Sequence, residues 1–254
     1  MNLKIQHFVI FITFLGLLSC KEETARLVRM SAEQMVIDST AGEVDSVKKL
    51  LIPYTQRINI VLDSTLAYAP KTFDKANGRY NTDIGNLMAD LIVLQAGPIF
   101  KSRTGKDLDF ALLNYGGIRS QISKGKVSAR TAYEVMPFEN TIIVVELNGK
   151  SVMKMVDYLL EAEQPHPISK EVQIVLKSDG SLHEIRLSGK PLVMDQRYYV
   201  ATSDYLVNGG DSMLFFKEAL GTTNTDYLIR NAMIDYFKKA DTLWAVIDNR
   251  VYSL

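Results

Sequence analysis

Polar and hydrophobic positions along the chain follow two periods. From Asp83 to Gln95 the apolar residues Ile84, Leu87, Met88, Leu91 and Leu94 recur every three or four positions, which predicts a helix with one apolar side. Phe110 to Leu113, Thr141 to Leu147, Val172 to Leu176 and Tyr198 to Thr202 are short, largely apolar runs of strand-forming residues, and Glu184 to Leu187 reads as a further strand. Ile58 to Leu62 reads the same way, as an earlier strand, with a polar turn region from Phe73 to Thr82 after it. An Asn148-Gly149 turn leads into a helix from about Ser151 to Glu161 with Val152, Met155, Val156 and Leu159 inward. A last helix is expected from about Asp226 to Lys239, and a closing strand near Trp244 to Ile247. Strands and helices mix without strict alternation, so the expected fold is α+β, a mixed β-sheet with flanking helices.

The N-terminus follows neither period. One positive charge, Lys4, precedes an apolar run from Phe8 to Leu18, too short for a membrane span of about 17–25 residues. Residues 1–19 read as a signal peptide. Leu17, Leu18, Ser19 and Cys20 form a lipobox, which makes Cys20 the expected site of diacylglycerol attachment to a bilayer. Cys20 is the one cysteine of the sequence, so the mature chain has no internal disulfide and rests on its core. Lys21, Glu22 and Glu23 resemble the acidic export signal that some diderm bacteria place on surface lipoproteins, so the expected location is the cell envelope, at the outer membrane or cell surface. Residues 20–56, with an amphipathic stretch at Val44 to Leu51, read as a tether and leading helix, and 57–254 as the folded domain.

Composition narrows the partners. At 47% hydrophobic and 23% charged the chain is globular rather than disordered. Its 29 basic and 29 acidic residues cancel, which argues against a nucleic-acid polymer as ligand, so any anion site is local.

Three segments carry candidate chemistry. Asn114-Tyr115-Gly116-Gly117-Ile118-Arg119 leaves a strand with two glycines that let backbone approach a ligand, then an arginine whose planar fork suits an anion. Taken alone, a Gly-Gly pair after a strand is more commonly a turn. Met136-Pro137-Phe138 precedes the strongest strand, where an aromatic is most often core. Ser203 to Asp211 leaves another strand through a second Gly-Gly, with Tyr205 six residues before Asp211; on its own this is turn chemistry, and Asp211 also suits a helix N-cap.

Together, and with Gly85-Asn86-Leu87-Met88-Ala89-Asp90, these segments resemble the C-terminal substrate-binding domain of the 5'-nucleotidase family, from about Ile58 to the C-terminus. The resemblance implies that Phe138 and Tyr205 sandwich a base, that Asp211 accepts hydrogen bonds from ribose hydroxyls, and that Arg119 faces phosphate. It further implies that Asn114 and Gly116 line the base and sugar side, and that Arg79 is a second phosphate-directed arginine; read by itself, Arg79 is equally a solvated surface residue. The segment from Ile168 to Leu187 departs from the family's usual Gly-containing pattern.

In full-length members hydrolysis belongs to an N-terminal metallophosphatase domain with two metals, whose sites need several histidines with aspartates and asparagine. This sequence has three histidines: His7 leaves with the signal peptide, and His166 and His183 read as solvated loop or strand residues rather than metal ligands or bases. Lys21 to Arg57 is too short for a domain. The expectation is therefore a nucleotide-binding specificity half of a split 5'-nucleotidase, with no metal or cofactor of its own and divalent metals on a separately encoded metallophosphatase chain. The alternative is a stand-alone nucleotide-binding lipoprotein for capture or sensing.

Overall fold

The computed structural model describes residues 7–8, 27–38 and 40–254. The signal-peptide reading, apart from His7 and Phe8, and the lipobox with Cys20 and Lys21 to Glu23 lie outside the described residues. The chain divides into two compact units, 1–49 and 50–254. In the first, residues 27–37 have no regular structure and are exposed, and the Asp38 side chain accepts a hydrogen bond from the Thr40 amide at 2.8 Å.

Helix α1 (Asp45–Asp63) crosses the boundary between the units. It takes in Ile58 to Leu62, which is not a strand: Leu51, Tyr54, Ile58 and Val61 fall at helical spacing, and this longer period overrides the local β-branched run. The leading helix thus continues beyond residue 56, to Asp63. The second unit then runs β1 (Thr65–Ala69), α2 (Asp83–Thr104), β2 (Phe110–Ala111), β3 (Gly125–Ser128), α3 (Ala129–Val135), β4 (Thr141–Asn148) and α4 (Gly149–Glu161). It continues through β5 (Val172–Leu176), β6 (Leu182–Leu187), β7 (Lys190–Pro191), β8 (Arg197–Ser203), α5 (Asp204–Val207), β9 (Gly221–Leu228), α6 (Ile229–Lys239) and β10 (Val251–Ser253).

The central sheet has the order β2-β8-β4-β9, with β2 parallel to β8 and the other pairs antiparallel. A second sheet, β10-β5-β6-β7, is likewise mixed, and β1 pairs with β3. This is the expected α+β fold. Successive side chains of a strand point to opposite faces, and here each face has its own core. Ile142 and Val144 of β4, Ala111 and Ala201 join the helices α2 and α6 in one cluster. Val145, Leu147, Phe110, Val200 and Tyr198 join α4 and the β5-β6 hairpin in the other.

Helix α2 begins where Thr82 accepts the Gly85 amide at 3.1 Å and ends at Gly105 in the left-handed region, φ 73°. It outruns the expected Gln95, and Leu94 points to solvent rather than inward. Asn148 does not form a free turn but caps α4, its side chain accepting the Ser151 amide at 2.8 Å. Residues 244–247 form no strand: their backbone is held by Asn86 Nδ2, which donates to the Val246 carbonyl at 2.8 Å, and the last strand starts at Val251.

Arg250 ties the second sheet to α2. Its guanidinium donates to Asp90 Oδ1 and Oδ2 at 3.0 and 3.1 Å, to Asp248 Oδ1 and Oδ2 at 2.7 and 2.8 Å, and to the Ile168 carbonyl at 2.6 Å. Bidentate pairs of this kind are costly to break when one partner is removed, because charges are left uncompensated. Both carboxylates keep some contact with water, which softens the penalty. Arg250→Met is expected to lower unfolding free energy by on the order of 2–3 kcal/mol in urea titrations; a change below about 0.5 kcal/mol, the usual surface range, contradicts this role.

Candidate nucleotide-binding site

Because β2 and β8 run parallel side by side, with Ala111 opposite Ala201, their C-terminal ends leave the sheet together. Beyond β2 comes Asn114 and a short 3-10 turn, Tyr115–Gly117; beyond β8 comes α5 and a second such turn, Gly210–Ser212. Loops at the carboxyl ends of adjacent parallel strands are a common place for ligands in α/β sheets. Here the register brings together residues far apart in sequence.

Asp211 is the centre of the contacts. Asn114 Nδ2 donates to its Oδ2 at 2.6 Å, and the Tyr205 hydroxyl donates to its Oδ1 at 2.8 Å. The Tyr158 hydroxyl, from α4, donates to its carbonyl at 2.7 Å. The Tyr205 ring lies so close over Gly210 that a Cβ there would sit 2.4 Å from the ring, and a Cβ on Gly117 would sit 2.7 Å from Asn114 Oδ1. Both glycines are therefore needed for close approach, not merely for turning. Gly116 abuts the same pair, its Cβ position lying 3.5 Å from Asn114 Nδ2 and 3.8 Å from Asp211 Oδ2. Asp211 is in the left-handed region, φ 50°, within a 3-10 turn rather than at a helix N-cap. The hydrogen bond to Asp211 pushes the Tyr205 phenol up, while burial, then the charge of Asp211, does the same for Tyr158.

Phe138 and Tyr205 are 41% and 46% exposed, so neither is a core aromatic. The Phe138 loop is pinned from beneath by the buried Arg230, which donates to the Pro137 and Phe138 carbonyls at 3.0 and 3.1 Å. The Arg119 guanidinium lies 5.9 Å from the Phe138 ring centre and donates to the Gly116 carbonyl at 3.3 Å. Among the described residues it has no carboxylate within ion-pair distance. A second cation is close: Lys75 Nζ donates to the Ile118 carbonyl at 3.0 Å and lies 4.2 Å from the centre of the Tyr115 ring.

Arg79 is not drawn into this cluster. It stacks on Tyr80, 5.0 Å to the ring centre, and opens with Glu163, His166 and Asp179 on a cavity of about 420 Å³. His166 is not a solvated loop residue. The Leu112–Ile168 bridge lays its segment beside β2, where its Nδ1 accepts the Tyr115 amide at 3.2 Å and its ring faces Tyr158 at 5.7 Å. His183 is exposed on β6, as expected of a solvated strand histidine. Tyr158, His166, Lys75 and Arg230 went unforeseen as site residues, since each lies outside the three motifs. Among the described residues no group of three or more His, Cys, Asp or Glu side chains comes together that could hold a metal ion.

With this geometry in view, the sequence matches the family described as 5'-nucleotidase, C-terminal domain, over residues 64–218, and the chain belongs to that family. Protein UshA of Escherichia coli (strain K12) is 31% identical over 147 residues, which cover 56% of this chain and 26% of that protein. Cell wall protein Lmo0130 of Listeria monocytogenes serovar 1/2a is 28% identical over 192 residues, covering 67% of this chain and 24% of the relative. The chain thus spans about a quarter of the length of these curated relatives. In fold it is similar to a 5'-nucleotidase precursor from Thermus thermophilus, with a TM-score of 0.67 at 24% identity over 83% of this chain and 43% of that one.

Burial pushes the His166 imidazole below its ordinary pKa, against the opposing pull of Asp211. The unfolded chain therefore takes up this proton first as pH falls. The contribution of neutral His166 to stability is complete above about pH 6.5 and is lost as pH falls from there through its folded-state pKa. The urea midpoint is expected to fall more steeply in this window for the parent than for His166→Gln; parallel pH profiles would contradict the assignment.

Proposed function

We propose that this chain is the nucleotide-binding specificity half of a split 5'-nucleotidase. What carries the reading is the Asn114–Asp211–Tyr205 cluster, set beside two half-exposed rings and an arginine without a carboxylate partner among the described residues. A carboxylate offers about four lone-pair sites. Asn114 and Tyr205 use one on each oxygen, which leaves one apiece for a vicinal diol such as ribose. Phe138 and Tyr205 supply the faces for the base and Arg119 the fork for phosphate, with Asn114 and Gly116 along the sugar side. Arg79 reaches phosphate only in nucleotides long enough to extend toward its own cavity.

The chain binds and orients, and bond cleavage belongs to a separately encoded metallophosphatase that brings divalent metals to the phosphate. We place the protein in the cell envelope, exported behind the signal peptide at 1–19, lipid-anchored at Cys20 and carrying its binding domain on a tether. The apolar run and lipobox support this, as does likeness to a relative called a cell wall protein.

Calorimetric titration with AMP and adenosine tests the pocket. Phe138→Ala is expected to weaken both ligands by about 5- to 150-fold, the range of one stacked base. Arg119→Met is expected to weaken AMP about tenfold and leave adenosine unchanged, since only a charged phosphate uses the fork. Equal losses for both ligands in Arg119→Met would contradict the phosphate role. Added to exported metallophosphatase chains of the same genome, the protein should raise the nucleotide turnover of one of them; no response from any would overturn the split-enzyme reading.

A further inference from the structure

His166 stands between two prolines, Pro165 and Pro167, whose rings restrict the backbone on both sides of it. The same segment is laced to the chain leaving β2: the Leu113 amide donates to the Pro167 carbonyl at 2.8 Å, next to the Leu112–Ile168 bridge. The imidazole is thereby fixed against the Tyr115–Gly117 turn, where its Nδ1 accepts the Tyr115 amide at 3.2 Å. Only an unprotonated Nδ1 has a lone pair to accept with, so this bond requires a neutral ring that carries its proton on Nε2.

Three pocket residues hang on that turn. Asn114, which donates to Asp211 Oδ2 at 2.6 Å, immediately precedes it, and the Gly117 amide donates back to the Asn114 carbonyl at 3.1 Å. Gly116 lies within the turn, and its carbonyl accepts from Arg119 at 3.3 Å. We propose that His166 is a positioning residue of the nucleotide pocket and that its protonation releases the ligand, an inference that rests on the nucleotide-binding reading. A proton on Nδ1 sets two donors face to face where the Tyr115 amide now bonds, and the turn loses its anchor. The backbone around His166 is fixed, so the turn is the part that gives, and Asn114, Gly116 and Arg119 shift with it.

The surroundings hold the ring neutral. It is 5% exposed, its ring centre lies 5.7 Å from that of Tyr158, and burial outweighs the opposing charge of Asp211. Protons reach it from the cavity that it lines, where Arg79 and Tyr80 stand ahead of α2, Glu163 follows α4 and Asp179 tips the β5-β6 hairpin. Histidine is the side chain whose ordinary pKa lies within about pH 5–8, so His166 sets the response in this range.

Adenosine is the probe, because the phosphate of AMP itself titrates near about pH 6. By calorimetry, where circular dichroism shows the native fold, the parent should bind at least about threefold more weakly at about pH 5 than at about pH 8, since the bound state requires the neutral ring. His166→Leu, which cannot accept a hydrogen bond, should bind about tenfold more weakly than the parent at about pH 8. His166→Asn, whose Oδ1 reaches the place of Nδ1, should recover most of that loss and show no such fall at low pH. In NMR titrations of the parent, adenosine should move the His166 midpoint downward and leave that of the exposed His183 where it is. A flat parent profile, a His166→Asn profile that falls as steeply, or a His166 midpoint unmoved by adenosine would overturn the positioning role and leave the nucleotide pocket standing. If the parent binds no adenosine even at about pH 8, both fall together.

Discussion

Between Gly209 and Ser212 the backbone enters the left-handed region three times, at φ 94°, 50° and 59° for Gly209, Asp211 and Ser212. For residues with a side chain such conformations cost about 1–3 kcal/mol each and persist only where the surroundings fix them. Here the fixing groups come from three separate elements. Asn114 reaches from the end of β2, Tyr205 from α5 and Tyr158 from α4, and all three hydrogen-bond to Asp211. The missing side chain at Gly210 admits the Tyr205 ring that completes the grip. Remove that turn, and neither the carboxylate nor the ring has a defined place.

The sheet supplies what the turn needs. Parallel pairing of β2 with β8 delivers two strand ends to one edge, and the two cores hold those strands from both sides. A slip of one residue in β8 would exchange the environments of Val200 and Ala201 and carry Asp211 away from Asn114. The core is in this sense part of the site, because it sets the register on which the Asn114–Asp211 contact depends. Arg230 does the equivalent for Phe138, holding the carbonyls of an otherwise exposed loop.

Strands β4, β5 and β8 were legible in the sequence because they are buried on both faces or nearly so, which leaves uninterrupted apolar runs. Strand β9 was not: Gly221 to Leu228 is mostly polar and forms one edge of the sheet, where little apolar burial marks it. Ile58 to Leu62 misled through local β-branching, although its wider spacing is helical. The glycine-rich motifs fall on the two loops that meet at Asp211, where their glycines answer a local steric demand. His166 gave no such signal, because its place beside Tyr115 follows from the bridge between Leu112 and Ile168, a long-range pairing. Exposure of Phe138 was equally hidden, being fixed by an arginine far along the chain.

In the proposed pocket the two remaining acceptor sites of Asp211 meet a vicinal diol. The most direct measurement is the affinity of the parent and of Asp211→Ala for adenosine and 2',3'-dideoxyadenosine by calorimetry. The parent is expected to prefer adenosine by about tenfold or more, as hydrogen bonds to a charged group are worth about 1.5–3 kcal/mol, and the preference is expected to disappear in Asp211→Ala. Equal affinity of the parent for the two nucleosides, or a preference that survives in the variant, would contradict it.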